Sequence, residues 1–363
     1  MRSDSKLRRS TLVRGAAAAV LVAGFSAGFG MTSAQAAQHV TLVETGSSLL
    51  YPLFNEWAPA FEKTHPHIKI TTQSTGSGTG ISQAVAGLVQ IGSSDAYMPD
   101  AQMKQHPEIM NIPLAISAQA INYNVPGLNG KHIHLSGPVL AAIYMGDITK
   151  WNDPKIEKMN PGMKLPDHKI IPVHRTDGSG DTFLFSQFLS FTTPAWKDKL
   201  GYSTTVSWPP VKGELGAEGN QGMIKAIESN KYSIAYIGIS YFKQVAKAGL
   251  GQAALENKAG NFVLPTKKTI TSAAAGLSAK TPKDERISLI YAEGKDSYPI
   301  INYEYAIVSK KQPNEKTAKA LKTMLKWAIH TGNEPKFLNQ VEFKPLPKSI
   351  KKLSMDQIEM ISH

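Results

Sequence analysis

Hydrophobic and polar positions recur along this chain in one order: a short apolar run, a polar turn rich in Gly, then an amphipathic stretch. Val40 to Val43 reads as a strand leading into Thr45-Gly46-Ser47-Ser48, after which Leu53, Trp57 and Phe61 recur every four residues as one helix face. Pro59 inside that stretch predicts a kink or an early end. Ile68-Lys69-Ile70-Thr71-Thr72 alternates as a strand, Thr75 to Gly80 forms a turn, and Ile81, Val85 and Leu88 mark a second helix face. A third apolar segment ends in Gly92-Ser93-Ser94-Asp95. Farther on, Ile170 to His174 runs into Arg175-Thr176-Asp177-Gly178-Ser179-Gly180-Asp181, with Phe185, Phe188 and Leu189 following at helical spacing.

The later text continues the alternation, with a helix from Met223 to Ser229 and strands from Ser233 to Ile239 and from Ile300 to Val308. The clearest helix runs from Glu315 to His330, with Ala320, Leu321, Met324, Leu325 and Ala328 on its apolar side and Gly332 placed to end it. Strands alternating with helices predict an α/β class with mainly parallel sheets. At 363 residues the chain is too large for one core and suits two domains.

Composition narrows the chemistry. With no cysteine, disulfides, thiolate metal sites, a nucleophilic thiol and a lipid-modified N-terminal cysteine are excluded. Residues 1–36 read as an export signal: Arg2, Lys6, Arg8, Arg9 and Arg14 precede an apolar run from Gly15 to Gly30, and Ala34-Gln35-Ala36 offers a cleavage site. Cutting there removes five positive residues and Asp4, lowering the formal charge from +12 to +8. The remaining lysines, such as Lys267, Lys268, Lys348, Lys351 and Lys352, are scattered through polar stretches without arginine-aromatic interleaving, which argues against nucleic acid.

Three loops combine Gly with Ser or Thr where a strand meets a helix. A helix N-terminus leaves backbone N–H groups unpaired and carries partial positive charge; Gly allows close approach, and hydroxyls add donors. Three such ends, one carrying Arg175, predict a site for a tetrahedral oxyanion. Enzyme motifs do not match. The stretch 76–80 continues into Ile81-Ser82-Gln83 rather than the Gly-Lys-Ser/Thr of a nucleotide loop. The pairs His65/His67 and His132/His134 have no acidic partner at metal-ligand spacing, so no metal or other cofactor is expected. Ser179 lacks the spacing of a serine-hydrolase elbow and suits a helix N-cap.

Thr45-Gly46-Ser47-Ser48, Gly76-Ser77-Gly78-Thr79-Gly80, Ser94-Asp95-Ala96 and Arg175-Thr176-Asp177-Gly178-Ser179-Gly180 together resemble the solute-binding proteins of high-affinity phosphate ABC transporters. Similar stretches continue at Ile143 to Pro154, at Gly219-Asn220-Gln221-Gly222-Met223 and at Phe343 to Pro347, in the expected order over nearly all of the chain after residue 36. The resemblance implies an α/β type II periplasmic binding protein fold, two lobes joined by two crossing segments with phosphate in the cleft. It places the lobes at residues 38–120 with 304–363 and at 121–303. Carried over residue by residue, it offers Ser48, the Leu49 backbone, Ser77 and Asp95 from one lobe, and Arg175, Ser179 and Gly180 from the other. Asp177 would support Arg175 through a salt bridge. A carboxylate at Asp95 can accept the proton of monohydrogen phosphate, whereas sulfate has none to give.

The chain departs from the family pattern at two places. Ser48 and Leu49 stand where the family often has Thr and Phe, and after Gly180 the pattern has Thr, whereas here Asp181 comes first and Thr182 second. Asp181 then has three readings: a backbone donor, a second proton acceptor, or a residue turned away while Thr182 takes its place. The expectation is a periplasmic, monomeric, non-enzymatic receptor that delivers inorganic phosphate to the permease subunits of an ABC transporter. The alternatives are a receptor for sulfate or molybdate, or an exported phosphatase.

Overall fold

A 16-residue strand, Ile109–Asn124, runs through the middle of the computed structural model, which describes residues 39–363; the export signal read at residues 1–36 lies outside the described residues. All of this strand except Asn124 is buried, so both faces are covered and its sequence shows no clean alternation. Residues 109–118 pair antiparallel with strand Ile301–Ser309, and residues 119–124 pair antiparallel with strand Ser233–Gly238. The register with Ile301–Ser309 shifts between Glu304 and Tyr305, which face Ala115 and Pro113 and leave Leu114 as the extra residue. Pro113 cannot donate to the ladder, and a bulge is a place where a central strand tolerates it.

From this strand the sheet extends both ways. On one side the order is Ile301–Ser309, Ile91–Ser94, Val40–Gly46 and Ile68–Ser74; on the other it is Ser233–Gly238, Ile171–Arg175 and Leu215–Ala217, with Gly251–Gln252 as an extra edge. Val40–Gly46 pairs parallel with both of its neighbours, and so does Ile171–Arg175. The expected parallel βα pattern therefore holds at the two wings, while the centre is antiparallel. A second, three-stranded sheet joins Phe262–Val263, Ala254–Glu256 and His134–Leu135.

Three sequence expectations are corrected. Pro59 does not end its helix, which runs on through it over Tyr51–Thr64. Pro59 and Asn55, whose carbonyl loses its partner, both lie on the exposed side where water can serve it. Leu88 does not mark a helix face: the second helix is Ser77–Val85, and Leu88 beyond it is exposed. Gly332 does not end the helix Glu315–Ile329, which stops at His330. Gly332 instead lies where its carbonyl accepts the Trp57 indole N–H at 2.9 Å, and a Cβ there would stand 3.0 Å from that ring. Among the described residues, no helix is long and apolar enough to cross a membrane, and no group of three or more His, Cys, Asp or Glu could hold a metal ion.

Candidate functional site

Four helices begin around one buried polar cluster. Tyr51–Thr64 starts after Ser47 and Ser48, Ser77–Val85 starts at Ser77, Gly180–Thr192 starts after Ser179, and Gly219–Ser229 carries Asn220 in its first turn. Each start follows a strand of the sheet, so the strand-turn-helix grammar aims backbone N–H groups and positive helix ends at one place. Ser179 caps its helix as expected, its hydroxyl accepting from Thr182 N–H at 3.1 Å.

Asp95 sits at the end of strand Ile91–Ser94 and is almost fully buried. Its backbone N–H donates to Ser77 Oγ at 3.1 Å, and its carboxylate accepts from the Ser47 hydroxyl, which in turn accepts from Leu50 N–H at 2.9 Å. Gly180 lies directly against this pair, since a Cβ at 180 would collide with the Asp95 carboxylate and the Ser77 hydroxyl. Only glycine leaves that space open.

Arg175 is held by two carboxylates. Its Nε donates to Asp177 Oδ1 at 2.6 Å and its Nη2 to Asp177 Oδ2, while Nη1 reaches Asp181 Oδ2 at 3.0 Å. The Asp177 pairing is the bidentate fork expected of a supporting residue. Asp181 is also held by Asn220 Nδ2 at 2.6 Å and by Gln119 Nε2 at 3.0 Å. Thr182 turns the other way, its hydroxyl 2.8 Å from Tyr236 Oη, which accepts the backbone N–H of Arg175 at 2.9 Å.

Ser48 Oγ accepts from Asn220 Nδ2 at 2.9 Å, so one amide links the first loop to Asp181. Leu49 is fully buried, with its side chain against Gly238 and its carbonyl accepting from Ser240 Oγ at 2.7 Å. Ser48, Ser77, Asp95, Arg175, Ser179, Gly180 and Asp181 are thus brought together, with Leu49 and Thr182 at the back.

Ser47, Gln119, Asn220 and Glu304 also touch the cluster and went unassigned in the sequence. Asn220 stood in a stretch already singled out for similarity, and Glu304 stood in the strand-like run from 300 to 308. What each touches is 39 or more residues away in the chain for Asn220 and Gln119, so spacing carries no signal.

The electrostatics are those of a dry site crowded with acids. Burial, then repulsion from Asp181, pushes the Asp95 carboxyl up to about 7, against the pull of Ser47, Glu304 and Arg175. Burial also raises Asp181, partly offset by Arg175, Gln119 and Asn220. Burial opposes the charge of Asp177 too, but the hydrogen bonds and charge of Arg175 outweigh it and hold this acid below the usual carboxylate range. Such a site combines N–H and hydroxyl donors, one guanidinium and carboxyl acceptors, which fits a buried oxyanion that still carries a proton.

Comparison with known proteins gives the family and the fold. The PBP superfamily domain matches residues 32–331. The chain is 34% identical over 319 residues to the phosphate-binding protein PstS of Pasteurella multocida, covering 88% of this chain and 90% of that one. It is 33% identical over 335 residues to the PstS of Methanocaldococcus jannaschii, covering 87% and 85%. In three dimensions it resembles a high-affinity periplasmic phosphate-binding protein solved with bound phosphate, with a TM-score of 0.70 at 17% identity, covering 86% and 92%. The fold is that of the type II periplasmic binding proteins.

Proposed function

The chain belongs to the PBP superfamily, among the PstS phosphate-binding proteins, and from that premise we propose that it captures inorganic phosphate and delivers it to the permease subunits of an ABC transporter. Export to the periplasm, a monomeric state and the absence of catalysis are part of the same reading. The observation that carries it is the placement of the buried Asp95 carboxyl beside Gly180 and Ser77, at the meeting point of four helix starts. A carboxylate among donors is a mistake for sulfate or molybdate, which would face it as a second unprotonated anion. For a protonated phosphate it is an acceptor.

In this reading Ser48, Ser77, Ser179 and the backbones of Leu49 and Gly180 donate, Arg175 supplies charge, and Asp177 holds the guanidinium fork in plane. Of the three readings of Asp181, its contacts with Arg175 and Asn220 favour a second proton acceptor. Thr182, spent on Tyr236, supports Arg175 from behind.

The lobes of the proposal are residues 38–120 with 304–363, and 121–303. The long strand, which changes partner after Ala118, would serve as one crossing and the start of strand Ile301–Ser309 as the other. Phosphate should close the cleft about these segments. Calorimetric titration with phosphate and sulfate tests the capture, and small-angle scattering with and without phosphate tests the closure. Incubation with a chromogenic phosphate ester separates a receptor, which leaves it intact, from a phosphatase, which turns it over.

A further inference from the structure

Glu304 is fully buried on strand Ile301–Ser309, outside the set of residues assigned to phosphate. One of its oxygens, Oε1, takes the Ser117 hydroxyl and Asn302 Nδ2, the latter at 3.0 Å. The other, Oε2, has no donor in reach. Asn302 Nδ2 also points to the Asp95 carbonyl at 3.3 Å, and the Glu304 carboxyl stands within hydrogen-bonding reach of the Asp95 carboxyl. Two ionised carboxylates repel each other strongly in such a dry contact. One proton between them turns the same contact into a charge-assisted hydrogen bond.

The chemistry of the neighbours says which acid holds it. Asp95 has the Ser47 hydroxyl as a donor, and Arg175 stands behind it across Asp181, whereas the charge that bears most on Glu304 among the described residues is that of Asp95 itself. Burial and that repulsion raise Glu304 well above the ordinary glutamate range. The unpartnered Oε2 is the place for the proton.

We propose that Glu304 is a positioning residue for the phosphate site: its carboxylic O–H donates to the Asp95 carboxylate, leaving the remaining Asp95 lone pairs free to accept from the ligand, and loss of that proton sets the alkaline limit of phosphate affinity. This rests on the phosphate reading above. Ser117 lies on the long strand, and Asn302 and Glu304 on its partner, so the proton sits where the two crossing strands run side by side. Above the titration of Glu304, binding must take up a proton, and affinity falls by up to about tenfold per pH unit.

The test is calorimetric titration of inorganic phosphate into the full chain between pH 6 and 10, for the wild type and Glu304→Gln. The glutamine amide copies the protonated acid, with its oxygen toward Ser117 and Asn302 and its N–H toward Asp95, but has no proton to lose. Expected are equal affinities at pH 6 to 7 and, toward pH 10, a wild-type decline of at least about tenfold that the variant lacks. Superimposable profiles overturn the proposal, as does a loss of more than about tenfold by the variant at pH 7, which would mean that an ionised glutamate is needed. Should Glu304→Gln fail to fold, Ser117→Ala deletes a hydroxyl that favours the ionised form and must move the alkaline limit upward; an unmoved limit overturns the proposal. Wild-type protein that binds no phosphate at any pH brings down the phosphate reading and this inference with it, whereas wild-type binding with unchanged variant profiles brings down the inference alone.

Discussion

The backbone N–H of Gly78 donates to the carbonyl of Gly178 at 2.8 Å, joining the first turn of helix Ser77–Val85 to the loop after strand Ile171–Arg175. No side chain stands between them: a Cβ at Gly178 would lie 3.2 Å from Gly78 Cα. Gly178→Ala should therefore hold the helix start and the loop slightly apart and weaken phosphate affinity severalfold with little change in stability. Gly180→Ala should be worse, since its Cβ collides with Asp95 and Ser77 at the site itself, and overpacking of this kind costs about 1–3 kcal/mol. Titration and thermal melts of the two variants check this, and the reverse order of severity would contradict it.

Arg175→Lys keeps a positive charge but loses the fork that grips Asp177 and reaches Asp181. The expected result is a folded protein whose phosphate affinity drops by about 1.5–3 kcal/mol, the usual cost of losing hydrogen bonds to a charged group. Melting should also fall, because Asp181 remains buried with less compensation. Wild-type affinity in a folded variant would exclude Arg175 from the site.

Glu44 offers a pH test away from the ligand. It is buried on strand Val40–Gly46 with the Thr72 and Ser93 hydroxyls as partners, and burial pushes it up to about 7 despite them. Its folded-state pKa exceeds the unfolded value of about 4.3, so its contribution is full below that value and is lost as pH rises through about 7. Glu44→Gln, whose amide both hydroxyls can serve, should flatten the stability profile across that window by about one proton's worth, up to about 1.4 kcal/mol per pH unit. Denaturant unfolding at several pH values checks the slope, and a variant as pH-sensitive as wild type would refute the assignment.

Local features of the fold were legible, and features made at a distance were not. The Ser179 cap is a short-range event, three residues long, that the loop text shows; the Asp177 pairing with Arg175 is as short, and the resemblance to the family implies it. The strand Ile109–Asn124 escapes as a single element because burial on both faces removes alternation and Pro113 interrupts the run at a bulge. Pro59 misleads because propensity assumes that the freed carbonyl is costly, and at an exposed Asn55 it is not. Asn220 links Ser48, 172 residues away, with Asp181, and Glu304 finds Ser117 across 187 residues; only the assembled sheet makes such contacts.

Asp181→Thr, which restores the family's usual residue after Gly180, probes the second acceptor. With Asp95 and Asp181 both accepting, the site suits phosphate carrying more protons, so affinity should favour the acid side of neutrality. The threonine variant should shift that preference toward alkaline pH and strengthen binding there, because one buried negative charge has gone. Parallel titrations of the two proteins between pH 5.5 and 8.5 check the shift; an unchanged profile would leave Asp181 as a partner of Arg175 alone.

A buried carboxylate at Asp95 should restrict the site to an oxyanion that carries a proton. The most direct measurement is the ratio of phosphate to sulfate affinity at fixed pH and salt, in wild type and Asp95→Asn. Expected are a wild-type ratio that clearly favours phosphate and a marked fall of that ratio in Asp95→Asn, whose amide can donate to sulfate. Comparable affinities for the two anions in the wild type, or a ratio untouched by Asp95→Asn, would contradict it.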